Sequence, residues 1–476
     1  MFSRIGHGER MKRAHLLRWF GPHWLSAVPR GLALLVLSFA LVTEPAAAQS
    51  VLRDAETEAL FADMAKPLIA AAGLHDGNVK VVLLQDPEIN AFVAEGQTVY
   101  IQSGLIEAAD NADQVQGVIA HELGHIAGGH VVRFSQGAGA ATSITLLSLL
   151  LGAAVMAAGG GEAGMGIMMA GQQAAMGKFL AFSRTQESSA DAAGASYLLK
   201  AHLSGKGMID FFGKLRKDEY RLSSSYTDID PYAQTHPLSA DRIEALSGTL
   251  KASPWWDAKT DPVLEARFER VKAKLSGYVS DPDITLRKYP ETDQSIPAIY
   301  ARAYAWHKSA YPDKAVEEAN KLIAAMPHDP YFLELKGQIL LESGKPADAV
   351  PVLREAVQRS NNQPLIASLF GHALIATEDQ ANYAEAKQVL KVSVARDHDN
   401  PFAWYQLGVI YAQSGDTPRA ALATAERYNL EGRNTLALAN AELALRNLPQ
   451  GTADWIRAQD IAMVSRNAMQ GKKKRS

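Results

Sequence analysis

Five residues, His121-Glu122-Leu123-Gly124-His125, restrict this chain more than any other stretch. They lie in a helical pattern spanning 113–130, with apolar Val115, Val118, Ile119, Leu123 and Ile126. Side chains four apart on a helix stand one above the other, so both imidazoles project from one face. Two neutral imidazole nitrogens at that separation can grip one zinc ion, and Glu122 then stands where it can accept a proton from a water polarised by the ion. A polar turn at 110–113 opens the helix, and Gly128-Gly129 follows the motif, as suits a helix ending beside a cleft.

Two histidines do not complete a site. His130 falls five residues after His125, whereas a third His ligand on the metzincin pattern falls six after; Val131 is there instead. The third ligand must come from elsewhere in the chain.

With 476 residues, 47% of them hydrophobic and 21% charged, there is material for two or three globular domains. A net charge of -3 gives no electrostatic case for nucleic-acid binding. The basic run Lys472-Lys473-Lys474-Arg475, in the tail 471–476, reads as solvated chain end. Residues 1–48 have the form of a secretory signal peptide. Arg10, Lys12, Arg13, Arg18 and Arg30 precede an apolar run at 31–42, and Ala46-Ala47-Ala48 offers a cleavage site before Gln49. There is no cysteine, hence no disulfide and no lipid-modified cysteine; export to a periplasm fits.

After the leader, 55–72 reads as a helix. Residues 79–84 and 91–101 read as strands, the second broken by the turn Glu95-Gly96-Gln97. A strand here can flank the cleft and pair with an extended substrate backbone. An insert at 134–182 then changes character: no charge occurs between Phe134 and Gly161, Leu146, Leu147, Leu149, Leu150 and Leu151 crowd one arm, and a Met-rich second arm follows Gly159-Gly160-Gly161. Residues on both sides of the insert are needed at one metal, so the chain crosses a membrane twice or not at all. Gln172, Gln173 and Lys178 make the second arm a poor span. The pattern favours an apolar helical hairpin that packs near the site or dips into a membrane interface.

Glu187 and Asp191 come next, four apart and so on one helical face. In that geometry Glu187 can bind the metal while Asp191 orients a ligating imidazole. The ordered pair His121-Glu122-x-x-His125 and Glu187-x-x-x-Asp191 resembles the HtpX-like zinc endopeptidases of the gluzincin group, over roughly residues 55–250. The resemblance implies Glu187 as third zinc ligand and Asp191 as its support. Thr235-His236-Pro237, followed by Arg242, is similar to a segment found in the periplasmic, repeat-bearing (BepA-like) members. It implies that His236 can approach the zinc and hold the enzyme latent, because catalysis needs an open fourth position. Arg242 either stabilises an oxyanion or pairs with a surface carboxylate.

Past a polar stretch at 280–295 the period is near 34. Pro297, Pro330, Pro364 and Pro401 open successive units 33, 34 and 37 residues apart, the last spacing marking an insertion at 378–381. Trp404, Leu407, Gly408, Tyr411 and Ala420 match tetratricopeptide positions, as do Gly337, Ala349, Ala356 and Gly371, and 435–465 suits capping helices.

The expected fold is mainly α: an α+β zincin-type metalloprotease domain at 49–275, a linker at 276–295, and an α-solenoid of tetratricopeptide repeats at 296–470. The expected activity is that of a periplasmic zinc endopeptidase, with one Zn2+ per chain and chaperone activity. The resemblance implies unfolded or misassembled outer-membrane proteins as substrates, and docking to the β-barrel assembly machinery through the repeats. Alternatives are a largely non-proteolytic repeat chaperone or adaptor, and a membrane-integral protease.

Overall fold

Short runs rich in Val, Leu, Phe, Tyr and Ile build the small sheet that carries the cleft. The computed structural model describes residues 50–75, 77–157, 161–223, 236 and 240–473. The leader at 1–48, Thr235, Pro237 and the last residues of the basic tail lie outside the described residues. Strands β1 (Ser50–Leu52), β2 (Lys80–Gln85), β3 (Ala91–Ala94) and β4 (Thr98–Gln102) form one sheet in the order β1-β2-β4-β3. β2 and β4 run parallel, and the outer pairings are antiparallel, which leaves β3 at an edge. Leu83, Val99 and Ile101 point from the sheet into a core shared with helix α1 (Ala55–Ala71), through Leu60, Phe61, Met64 and Leu68.

After the short helix α2 (Ser103–Ala108), Asn111 caps α3 (Ala112–Ala127) by accepting from the backbone N–H of Gln114. The sequence pattern carried this helix to His130, but α3 ends at Ala127. Gly129 adopts φ +63°, a left-handed conformation that suits glycine and reverses the chain, and His130 opens a new helix, α4 (His130–Ala157). The return arm, α5 (Gly161–Lys200), is one helix of 40 residues. The apolar insert is therefore not a separate module: its second arm continues into the turns that bear Glu187 and Asp191. Helices α6 (Lys206–Ser223) and α7 (Ala240–Lys251) close the domain through Met208, Phe211, Phe212 and Leu246.

The solenoid begins with α8 (Pro262–Val279) and α9 (Pro282–Lys288), followed by the helix pairs α10 (Ile296–Lys308) and α11 (Pro312–Ala325), α12 (Pro330–Glu342) and α13 (Pro346–Arg359), α14 (Pro364–Ala376) and α15 (Tyr383–Arg396), and α16 (Pro401–Gln413) and α17 (Thr417–Leu430). Ser295, Asp329, Gln363 and Asn400 cap the first helix of each pair, and a proline occupies its first turn, where its missing N–H costs nothing. A 3-10 turn at Gln380–Asn382, entered through Glu378 at φ 57°, takes up the longer third unit. Helices α18 (Asn434–Asn447) and α19 (Ala453–Lys473) follow the last pair.

The stretch expected as a linker, 276–295, is instead structured. It holds the end of α8 and all of α9, and Ser276 and Thr285 there are buried. Just before it, α8 carries part of a buried ionic cluster that the sequence pattern does not reveal. Lys274 pairs with Asp54, the cap of α1, and lies 3.5 Å from Glu56. Arg270 bridges Glu56 (2.7 Å) and Asp329 (2.9 Å), and the Tyr300 hydroxyl donates to Glu56 at 2.8 Å. Burial pushes the Asp54 carboxyl up, but Lys274 outweighs it and holds it below the usual carboxylate range; burial prevails at Glu56, which is raised. The start of α1 is thus fixed to α8 and to the first two repeat units. Removing one member of a buried pair strands its partner, typically at a cost of about 3–5 kcal/mol. Lys274→Met should therefore lower the unfolding free energy by about that amount, read by chemical denaturation, and loosen the protease domain and solenoid together.

Candidate metal centre

The site is assembled where two helices meet without side chains between them. A Cβ built on Gly124 of α3 would lie 2.6 Å from the Ala190 carbonyl oxygen of α5, and one on Gly194 would lie 3.1 Å from Ala120. The first separation is too short for any side chain, so glycine at 124 lets the backbones approach this closely; the second is tighter than an ordinary contact, so a side chain at 194 would press the helices slightly apart. That approach lays the Glu187 and Asp191 turns against the His121 and His125 turns.

Four donors then converge. His121 Nε2 is 3.1 Å from His125 Nε2, 3.3 Å from Glu187 Oε2 and 3.3 Å from His236 Nδ1. Glu187 Oε1 is 3.4 Å from His125 Nε2, and Oε2 is 3.0 Å from His236 Nδ1. All four side chains are buried. A tetrahedron whose corners lie about 2.0–2.1 Å from its centre has edges of about 3.3–3.4 Å, so these separations match the cage that N and O ligands build around one small cation.

The electrostatics point the same way. Burial opposes charge on His121, but hydrogen bonding to Asp191 and Glu187 outweighs it and pushes the ring up to about 10. His125 is driven down to about 2 by burial and by the neighbouring His121. Glu187 is held far below its ordinary range, because the nearby His236 and His121 outweigh burial. Three imidazole nitrogens and one carboxylate oxygen at these separations are a donor set that fits a divalent metal ion.

Around the donors stands a layer of holders. Asp191 Oδ1 lies 3.0 Å from His121 Nδ1, the ring nitrogen turned away from the cage. Arg242 forks onto Asp191 at 2.7 and 2.9 Å and reaches Glu187 Oε2 at 3.2 Å. This corrects both sequence-based expectations for Arg242: it is buried, so it pairs with no surface carboxylate, and its guanidinium is engaged behind the ligands rather than aimed at a substrate oxygen. Sequence reasoning also passed over His130. Its Nδ1 lies 3.0 Å from His125 Nδ1 and its Nε2 is 3.2 Å from the Ser189 hydroxyl, so it does for His125 what Asp191 does for His121. The break at Gly129 creates this contact, and only the unexplained His beside the motif hinted at it.

Glu122 stands apart from the donors. It is fully buried, neither carboxylate oxygen accepts a hydrogen bond among the described residues, and His236 Nε2 is 3.7 Å away. Burial raises its carboxyl above the ordinary range. A cavity of about 260 Å³ opens onto it, lined by Phe92 and Val93 of the edge strand β3 and by Phe179 and Phe182 of α5. A metal cage, a buried carboxylate beside it that accepts no hydrogen bond among the described residues, and a strand edge that no described strand pairs together define a metallopeptidase domain, here joined to a tetratricopeptide solenoid.

Comparison with known proteins agrees. The model of Peptidase family M48 matches residues 52–250. The Beta-barrel assembly-enhancing protease of Escherichia coli (strain K12) is 26% identical over 383 residues, covering 78% of this chain and 76% of its own. Metalloprotease LoiP of the same organism is 29% identical over 177 residues, covering 37% of this chain and 63% of its own. Among solved structures, the TPR protein YrrB aligns with 37% of this chain and 92% of its own at 22% identity and a TM-score of 0.31. Residues 52–250 match the model of that peptidase family, and the chain is a metalloendopeptidase.

The geometry makes Asp191 a positioning residue for His121. Asp191→Asn should weaken metal binding by about 10–100-fold, measured by competition with a chelator, while circular dichroism stays that of the parent.

Proposed function

We propose that the chain is a periplasmic zinc endopeptidase, exported by a cleaved leader, that acts in quality control and assembly of outer-membrane β-barrel proteins. The observation that carries the activity is the convergence of His121, His125 and Glu187 beside the buried carboxylate of Glu122, which accepts no hydrogen bond among the described residues. In this reading His121, His125 and Glu187 hold the zinc, with the backs of the two imidazoles braced by Asp191 and His130. Zinc bound there supplies Lewis acidity toward a scissile carbonyl and toward water.

The remaining work falls to the chain's own side chains. Glu122 takes a proton from the attacking water and returns it to the departing amine. Its raised affinity for protons, a consequence of burial, suits both halves of that task. The edge of β3 presents unpaired backbone groups along the cleft, which supports binding of an extended polypeptide by strand addition. His236 completes the cage as a fourth donor, and this supports a closed resting state. A peptide can be cleaved only after His236 moves off, since a catalytic zinc keeps its fourth position for water or substrate.

The client class rests on the similarity to the Beta-barrel assembly-enhancing proteases. The solenoid supplies a docking surface for unfolded clients and for the assembly machinery.

Glu122→Gln should reduce hydrolysis of a quenched fluorescent peptide by about 10²–10⁴-fold with zinc content unchanged. Glu187→Ala should lose stoichiometric zinc by elemental analysis. A Glu122→Gln protein that cleaved at the parental rate would remove the mechanism. His236→Ala should cleave the same peptide faster than the parent; slower cleavage would show that His236 serves the reaction instead of closing the site.

A further inference from the structure

The hairpin formed by α4 and α5 is built inside out. Between Ala138 and Met156 runs a segment of 19 residues long and apolar enough to cross a membrane, of which only 11% is buried. Its exposed large apolar residues are Leu146, Leu147, Leu149, Leu150 (71% exposed) and Leu151. At 100° per residue these cover an arc of about 200° around the helix. The opposite, inward stripe is made of Thr145, Ser148 and Gly152. There Ser148 meets Gly171 of the second arm, and Gly152 meets Gly164 and Met168. A Cβ on Gly171 would lie 1.9 Å from that of Ser148, and one on Gly152 2.6 Å from the Gly164 carbonyl oxygen. The second arm repeats the design in part: Gly164, Gly171 and Ala175 face the partner helix, Met165, Met169 and Met176 are exposed, and the uncharged polar Gln172 and Gln173 are exposed among them.

A hairpin stable in water hides its leucines between its helices and shows polar residues outside. This one does the reverse. Small residues in the seam with large apolar residues outside is the arrangement helices adopt when the surrounding medium is hydrocarbon. The hydroxyls conform as well. Thr142, Ser143, Thr145 and Ser148 each donate to a carbonyl of their own helix, at 2.8, 2.9, 3.1 and 2.8 Å, so none needs water.

Charge is confined to the two ends of the hairpin. Arg133, Lys178 and Arg184, all exposed, collect at its base, next to the protease domain. From 134 to 177 the single charged residue is Glu162, in the first turn of α5. Nineteen residues at about 1.5 Å each extend about 28 Å, against about 30 Å for a hydrocarbon core. A docking groove on a protein would cover a narrow stripe of such a helix; an arc this wide is covered by a solvent.

We infer that the α4–α5 hairpin inserts tip-first into a lipid bilayer, with Arg133, Lys178 and Arg184 at the phosphate level and the exposed leucines and methionines in the acyl chains. Both arms return to the side of entry, which keeps Glu187 with His121 and holds the cleft next to the membrane surface.

The test uses the zinc-loaded mature chain and vesicles of phosphatidylethanolamine and phosphatidylglycerol. The parent should float with the vesicles in a density gradient. Leu147→Asp combined with Leu150→Asp should cut the floated fraction at least tenfold with an unchanged thermal midpoint, since both leucines are already exposed. Because the chain has no cysteine, Leu150→Cys carries a unique environment-sensitive dye. Its emission should shift to the blue on vesicle addition and be quenched by lipids brominated on the acyl chains. A parent that stays at the bottom of the gradient overturns the inference, as does a double variant that floats like the parent. A blue shift produced without vesicles, by raising protein concentration, also overturns it, because a second copy of the chain would then be what covers the leucines.

Discussion

The site depends on the near contact of two helix backbones. The ligands come from segments more than sixty residues apart, and no local rule brings them together. Glycine at 124 and 194, opposite Ala190 and Ala120, removes the side chains that would hold α3 and α5 apart. The gap left is narrow enough for Glu187 to reach both imidazoles, and for Asp191 to sit behind His121. Three ring nitrogens and a carboxylate facing one another would repel unless something positive lay between them. Close packing elsewhere in the core, by Leu123, Met208, Phe211 and Phe212, holds that arrangement together.

Much of this could be read in the residues, because it rests on short-range periodicity. The i, i+4 spacing of His121 and His125, the same spacing of Glu187 and Asp191, and the recurrence of proline at 297, 330, 364 and 401 are properties of single helices. What escaped was set by chain reversal or by long-range charge pairing. The left-handed turn at Gly129 cuts α3 short and swings His130 back onto His125, a contact that helical spacing alone argues against. Arg242 looked like a surface or oxyanion residue because nothing nearby in sequence announces its partner, Asp191. Residues 276–295 looked like a linker because they are polar and proline-containing, whereas they hold the end of α8 and all of α9; just before them, Lys274 and Arg270 of α8 make a buried pairing with Asp54 and Glu56, more than 200 residues earlier.

That pairing bears on how the two halves of the chain behave. Flexible linkers let catalytic and binding modules move independently. Here the cap of the first helix is held by Lys274, and Glu56 reaches Arg270 and Tyr300 in the solenoid. Arg53 extends the same contact to Asp397 in the third repeat unit. Whatever the repeats bind is presented in a fixed register to the sheet that lines the cleft.

One consequence concerns the length of α5. Its 40 residues form a rod of about 60 Å, with the methionine-bearing arm at one end and the metal-facing turns of Glu187 and Asp191 further along. The helix runs through without a break, so the two regions cannot be displaced independently while it stays intact. One unbroken helix thus ties the apolar limb to the carboxylate that joins the cage, with no loop between them to absorb a displacement.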